Sequence, residues 1–146
     1  IINGEATADT GKFEWGTTVT KAYLPVENAE FFKEGLPMMD WLRQFVPSHV
    51  TDADEPFLRG FLGKMLFTGD EIEKRVNVLS GGEKVRCMLS RMMLQNPNCI
   101  ILDQPTNHLD LESIQAFNEQ CVEYKGVVLL TSHDHTFMET TANRII

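Results

Sequence analysis

One stretch of the chain, Leu79–Asp110 (LSGGEKVRCMLSRMMLQNPNCIILDQPTNHLD), constrains the fold more than any other. It starts with a Gly-Gly turn, after which apolar residues recur at the three- and four-residue spacing of an amphipathic helix. It then enters the apolar run Cys99–Leu102, which is typical of a parallel strand covered on both faces. Asp103 ends this run, and ligand crevices form at the carboxyl ends of parallel strands. The stretch therefore predicts a helix, a buried strand and a polar site at the end of that strand.

The remaining segments predict an alternation of strands and helices. Residues 11–24 are rich in aromatic and β-branched residues around Gly16 and predict two short strands or a hairpin, and Pro25–Gly35 predicts a polar loop. The other predicted elements are helices at Leu36–Val46 and Asp54–Phe67 (capped by Asp54), a short acidic helix capped by Asp70, the helix from Glu83, the strand Cys99–Leu102, a helix at Glu112–Tyr124, a strand at Val127–Leu130, a helix at Thr136–Ala142 and the start of a strand at Arg144–Ile146. Such alternation is typical of an α/β fold with a parallel sheet.

Composition narrows the class of protein. A chain of 146 residues with 42% hydrophobic residues supports one ordinary domain. It has neither a membrane-length apolar run nor a signal peptide, and its net charge of −8 argues against a broad basic face for nucleic acid. Cys87, Cys99 and Cys121 lack metal-ligand spacing and are expected to be buried free thiols of a reducing, cytoplasmic protein. Because the chain begins Ile1-Ile2 rather than with Met, we expect it to be part of a longer protein.

The start of the helix and the end of the strand carry the candidate chemistry. Ser80, Gly81 and Gly82 precede a helix whose free N–H groups could bind phosphate, although an ordinary capped helix is an alternative. Asp103 occupies a position suited to holding Mg²⁺, or it is a turn residue. A carboxylate at position 104 could polarise an attacking water, but the amide of Gln104 can only orient water and cannot serve as a base. Alternatively, Gln104 is an ordinary surface loop residue.

A histidine follows the second apolar strand. Parallel topology would bring the end of Val127–Ser132 beside Asp103, so that His133 could donate a hydrogen bond to a γ-phosphate; a structural cap is the alternative reading. His108 and His135 are expected to be structural or interface residues. The chain has no G-x-x-x-x-G-K-[ST] loop, so it is not expected to cradle a nucleotide by itself in the usual way.

These motifs together resemble the ATP-binding cassette (ABC) superfamily of ATPases. Leu79–Glu83 (LSGGE) resembles its signature motif, Cys99–Asp103 its Walker B strand, Asn107–Asp110 its D-loop, and Ser132–Asp134 its switch histidine. The run PTNHLDLESI is similar to the ABC-F subfamily, whose members carry two cassettes in one chain and no transmembrane domain. Many of them act on the ribosome as translation factors or antibiotic-resistance proteins.

The resemblance implies a partial nucleotide-binding domain in three parts, and its pattern favours the second cassette. These are a small antiparallel β segment with the Q-loop region at 1–35, a helical subdomain with the signature helix at 36–95, and the α/β core from Walker B to the switch histidine at 96–146. Residues Ile1–Ile2 would follow the Walker A helix. The implied cofactors are ATP and Mg²⁺, and the implied partners are a second cassette and, through regions outside this segment, the ribosome with its rRNA and tRNA.

The resemblance also implies a division of roles. In a head-to-tail sandwich of two cassettes, Ser80, Gly81, Gly82 and Glu83 would contact the nucleotide of the other cassette, with Asp110 in the D-loop. The implied groups for the cassette's own nucleotide are Asp103 for Mg²⁺, directly or through water, Gln104 at the catalytic glutamate position, and His133.

Two positions depart from the family pattern. Val26 stands where the family often has a metal-holding Gln, and Gln104 stands where it has the catalytic Glu. We interpret Gln104 as an engineered Glu→Gln change or a naturally hydrolysis-deficient site. Two alternatives to an ABC-F ATPase stay open: the ATP-binding subunit of a membrane transporter, and a regulatory cassette that only binds.

Overall fold

A three-stranded parallel sheet forms the centre of the computed structural model, which describes residues 1–146. Its strands are β1 (Lys21–Leu24), β2 (Cys99–Asp103) and β3 (Val127–Thr131), in the order β1-β2-β3. All residues of β2 but its last are buried, in keeping with the apolar run that predicted it. The register pairs Leu24 with Leu102 and Asp103 with Thr131, so the carboxyl ends of all three strands meet at one edge.

The predicted hairpin at residues 11–24 is not formed. Only Lys21–Leu24 is a strand, and it pairs in parallel with β2 rather than in antiparallel fashion with a neighbour. Asn98 explains the difference, because its side chain accepts from the Thr20 amide at 2.9 Å and donates to the Thr18 carbonyl at 2.9 Å. These bonds use the backbone groups that a hairpin would need. Antiparallel pairing is confined to one isolated bridge between Pro37 and Arg75.

The segment of the sequence between β1 and β2 is mainly helical. Its helices are α1 (Met38–Arg43), α2 (Glu55–Lys64), α3 (Gly69–Ile72) and α4 (Gly81–Gln95), with 3₁₀ turns at Ala29–Phe32 and Val76–Val78. The prediction of Asp54 as the cap of α2 is confirmed, since its side chain accepts from the Phe57 amide at 2.9 Å. The prediction of Asp70 as a cap is wrong. Thr68 caps α3 in a capping box with Glu71, which leaves Asp70 inside the first turn.

The helices and the sheet share one core. A single cluster of 23 buried hydrophobic residues includes Leu58 and Leu62 of α2, Met88 of α4, and Leu24 and Leu102 of the sheet. The aromatic pair Phe32 and Trp41 stacks at 5.0 Å between ring centroids, so the segment predicted as a polar loop contributes a buried side chain. The helical region therefore holds a fixed position on the sheet.

The last part of the chain supplies α5 (Leu111–Glu123), β3 and α6 (His135–Thr141). Phe117 of α5 stacks on Phe137 of α6 at 5.4 Å between centroids, which joins the two helices. The strand predicted at Arg144–Ile146 is not formed: Ile145 is 95% exposed, and no strand pairs with this segment. None of the helices combines the length and the apolar character needed to cross a membrane.

Candidate functional site

Polar side chains of β2 and β3 meet at the carboxyl edge of the sheet. The Thr131 hydroxyl donates to Oδ1 of Asp103 at 2.7 Å. The amide of Gln104 donates to the Thr131 carbonyl at 3.1 Å, and to the Thr131 hydroxyl oxygen at 3.2 Å. Thr131 thus fixes both the carboxylate and the backbone that follows it. The predicted proximity of the two strand ends is confirmed.

Gln104 has an unusual conformation. Its φ is +50°, in the left-handed region that residues other than glycine seldom adopt. Its Oε1 atom is buried and has no hydrogen-bond partner. A buried polar atom without a partner costs about 1–3 kcal/mol. Gln104 thus combines a left-handed backbone with a buried, unsatisfied oxygen directly after a carboxylate, which makes it a candidate functional residue.

His133 lies two residues beyond Thr131 at the same edge of the sheet. Its side chain is exposed and open to a ligand. The flanking residues fix the backbone, since the Ser132 hydroxyl accepts from the Asp134 amide at 3.0 Å, and Asp134 caps α6 by accepting from the Phe137 amide at 2.9 Å. The structural cap is therefore Asp134, and His133 itself has no capping role.

The start of α4 is a fully formed capping box. The Ser80 hydroxyl accepts from the Glu83 amide at 3.2 Å, and the Glu83 carboxylate accepts from the Ser80 amide at 2.7 Å. Lys74 donates to the other oxygen of Glu83 at 2.6 Å. Burial by itself would raise the pKa of Glu83, but the hydrogen bonds from Lys74 and Ser80 outweigh it and hold that pKa below its usual value. The amides of Gly81 and Gly82 donate to no such partner and lie free at the positive end of the helix.

The segment Asn107–Asp110 packs against the start of α4. A Cβ atom on Gly82 would lie 2.5 Å from the backbone oxygen of His108, so only glycine fits there. His108 itself has a φ of +66°. Asp110 caps α5 by accepting from the Ser113 amide at 2.8 Å, and the hydrogen bonds from Ser113 lower the pKa of Asp110. A small cavity of about 280 Å³ opens between these residues and Ser80.

The structure thus divides the predicted residues into two groups. One group, at the carboxyl edge of the sheet, contains Asp103, Gln104 and His133. The other, at the start of α4, contains Ser80, Gly81, Gly82 and Glu83, with Asp110 beside them in the small cavity. Val26, where a metal-holding Gln was expected by resemblance, lies just past β1 and is 50% exposed. Its hydrocarbon side chain offers no atom for a metal.

The oxygen atoms at the carboxyl edge suit Mg²⁺. Asp103 uses Oδ1 for Thr131, which leaves Oδ2 free of hydrogen bonds, and the buried Oε1 of Gln104 lacks a partner. Mg²⁺ takes oxygen ligands and keeps several waters. Burial, with the nearby carboxylates of Glu5 and Asp103, raises the pKa of the Tyr23 hydroxyl, which therefore stays neutral beside the site. These residues fit a magnesium ion, whereas a phosphate-cradling loop is not found in the sequence.

Three contributions were missed by sequence reasoning. Thr131 holds Asp103 and the backbone of Gln104 in place at the carboxyl edge. This role could have been predicted by aligning the two apolar strands, because the alignment puts the polar Thr131 opposite Asp103. Lys74 neutralises Glu83 from nine residues away, and His108 abuts Gly82 from 26 residues away; no local pattern predicts these contacts.

Comparison with known proteins identifies the family. The sequence model described as ABC transporter matches residues 2–107. The chain belongs to this family. It is 58% identical over 147 residues to an uncharacterized ABC transporter ATP-binding protein, YkpA, of Bacillus subtilis; the match takes in 100% of the chain and 27% of YkpA. The chain spans about a quarter of the length of the curated relatives it matches.

Solved structures of the ABC transporter family show the same fold. An archaeal ribosome recycling factor, aABCE1, in complex with the ribosomal stalk protein aP1, matches with a TM-score of 0.79 at 24% identity, over 98% of this chain and 27% of that one. A dimeric ATP-binding cassette bound to ADP and Pi matches with a TM-score of 0.66 at 20% identity, over 85% of this chain and 56% of that one. The parallel sheet and its helices are thus part of an ABC nucleotide-binding cassette.

Proposed function

We propose that the complete protein is a soluble, cytoplasmic ABC-F ATPase that couples ATP-driven closure of two cassettes to ribosome binding, and that this chain belongs to its second cassette. The observation that carries the proposal is the separation of Asp103, Gln104 and His133 from the capped start of α4. One group suits the nucleotide of its own cassette, and the other suits a nucleotide presented by a partner cassette. The description of YkpA as an ATP-binding protein supports the proposed use of ATP, and the description of aABCE1 as a ribosome recycling factor supports the proposed binding to ribosomes.

The start of α4 would act across the interface. Ser80 and Glu83 satisfy each other, so the capping box is rigid before any ligand binds. The free N–H groups of Gly81 and Gly82, at the positive end of the helix, would then face a γ-phosphate held by the other cassette. Asp110, held by its bond to Ser113, would lie beside that contact. A phosphate bridging the two cassettes favours closure, and its loss would release them.

The carboxyl edge would act on the nucleotide of this cassette. Asp103 would hold Mg²⁺ through water, and the ion would neutralise charge on the phosphates. His133, exposed and on a fixed backbone, would donate to the γ-phosphate. The amide of Gln104 can orient a water but cannot accept its proton, so we propose that this form binds ATP and closes without hydrolysing it.

Relative lengths favour an ABC-F protein over a single-cassette transporter subunit. The match to the dimeric cassette takes in 85% of this chain and 56% of that one, whereas the match to YkpA takes in all of this chain but only 27% of YkpA. YkpA is therefore more than twice as long as that cassette and has room for two. With a net charge of −8 on this segment, most RNA contact would come from other parts of the protein.

The test is to measure ATP turnover by the full-length protein before and after Gln104→Glu. A carboxylate at this position restores a general base, and we expect turnover to rise by about 10²- to 10⁴-fold. Adding Asp103→Asn to that variant is the control and should abolish the gain. An unchanged rate after Gln104→Glu would contradict the role given to this position, and would favour a cassette that only binds.

A further inference from the structure

A larger groove lies at the opposite edge of the sheet from Asp103. Its volume is about 740 Å³, and it runs between α2, the end of α4, and α5. Asn98 and Gly126, which precede β2 and β3, mark its position at the amino ends of the strands. A molecule bound there would leave the candidate nucleotide site uncovered. The proposed function assigns no role to this groove.

The walls of the groove are held by specific contacts. The Tyr124 hydroxyl donates to the Pro97 carbonyl at 2.6 Å, which joins the end of α5 to the start of β2. Gly126 approaches the Asn98 carbonyl too closely for any side chain. The groove is therefore part of the packed fold rather than a gap between loosely placed loops.

Nine of the 20 residues that line the groove are hydrophobic, and several of them are large. Phe57 and Phe61 of α2 pack edge to face at 5.2 Å between centroids, and Phe57 is 36% exposed. Ile100 of β2 and Phe117 of α5 line the floor of the groove and are themselves largely buried. Large apolar side chains gathered along one exposed groove are typical of a surface that binds another protein.

The charged residues of the groove carry a net positive charge, whereas the chain as a whole is net negative. Lys64 and Lys125 lie on its rim with one acidic residue, Glu123, so the lining is net positive in a chain of net charge −8. Neither lysine takes part in a salt bridge. The Lys64 ammonium instead lies 5.8 Å from the centre of the Phe61 ring. Two unpaired cations beside an apolar floor are complementary to carboxylates flanking apolar side chains.

We propose that this groove docks an acidic amphipathic segment of a partner protein. Its apolar side chains would cover Phe57 and Phe61, and its carboxylates would pair with Lys64 and Lys125. RNA is a poorer match, because two lysines neutralise few phosphates and the floor offers mostly hydrocarbon. Since the groove spans α2 of the helical region and α5 of the core, the bound segment would contact both parts of the cassette at once.

The experiment measures binding of a labelled probe peptide to the full-length protein. The probe is a fluorescein-labelled helical peptide of about four turns, with Leu and Phe on one face and Asp and Glu on the other. Binding is followed by fluorescence anisotropy at low salt. The variant K64E/K125E is compared with the matched control K12E/R144E, which reverses two cations that also lack ion pairs and lie outside the groove.

We expect K64E/K125E to weaken binding by about tenfold or more, and the control variant to change it by less than about twofold. A peptide with Lys in place of Asp and Glu should show the opposite preference for the two proteins. Because all four substitutions are on the surface, equal melting temperatures should accompany these differences. Equal affinity for the two variants, no binding to the full-length protein, or stronger competition by single-stranded RNA than by unlabelled peptide would each overturn the proposal.

Discussion

Substituting Gly82 with alanine tests the contact between α4 and the segment Asn107–Asp110. The added Cβ would lie 2.5 Å from the His108 carbonyl oxygen, a separation that real Cβ atoms essentially never show. The opposing atom belongs to the backbone of a residue already in the left-handed region, so it cannot rotate away as a side chain would. Either α4 or the segment must move.

Gly81 provides a matched control. A Cβ there would lie 3.7 Å from the nearest atom of His108, which is ordinary contact. Exchanging glycine for alanine in a helix gains up to about 1 kcal/mol, whereas forcing an extra methyl group into packed structure costs about 1–3 kcal/mol. We therefore expect Gly81→Ala to be neutral or stabilising, and Gly82→Ala to be the less stable variant by about 1–3 kcal/mol.

Urea unfolding of the two variants, followed by circular dichroism, gives the difference in the free energy of unfolding. Both substitutions act on the same turn of the same helix, so effects on the unfolded chain largely cancel. Equal stability of the two variants would refute the reasoning, because it would mean that Gly82 and His108 are not packed as the structure shows.

Three further predictions concern stability and reactivity. Thr131→Val keeps the side-chain shape but removes the hydrogen bond to Asp103, and should lower the free energy of unfolding by about 1–2 kcal/mol in the same urea assay. The pKa of Glu83 is lowered in the folded state. The ionised side chain therefore stabilises the fold above the ordinary glutamate pKa of about 4.3, and this stabilisation is lost as the pH falls through the lowered value. In thermal melts from pH 7 to pH 3, Glu83→Gln should make this loss of stability at acid pH smaller. Burial raises the pKa of Cys121 to about 12 and also raises the pKa of the other two cysteines. A thiol reagent at pH 8 should therefore react slowly with the native chain, whereas in denaturant it should react readily with all three thiols. Rapid reaction with the native chain would contradict their burial.

The parts of the fold that the sequence predicts are those set by local chemistry. Cys99–Asp103 is a buried strand because a continuous apolar run suits a parallel sheet, and Ser80 caps α4 because its spacing to Glu83 forms a capping box. Asp54 caps α2 for the same local reason. The signature and Walker B motifs lie in the first two of these segments, so Asp103 and the candidate residues at the start of α4 could be named from sequence.

The parts that sequence reasoning misses depend on contacts between distant residues. Residues 11–20 have strand-like composition, but Asn98 binds their backbone and leaves a single short strand. Arg144–Ile146 has strand-like residues yet no partner strand. The fit of Gly82 against His108 depends on how two segments pack in three dimensions, and no spacing within either segment encodes it.

The central claim, that this form closes on ATP without hydrolysing it and then binds the ribosome, is tested most directly by sedimentation. Full-length protein is mixed with ribosomes and ATP labelled on the γ-phosphate, pelleted through sucrose, and the pellet is assayed for protein and intact nucleotide. We expect the protein to pellet with ribosomes only when ATP is present, and the bound nucleotide to be recovered as uncleaved ATP. Equal pelleting without nucleotide, or recovery of the label as free phosphate, would contradict the claim.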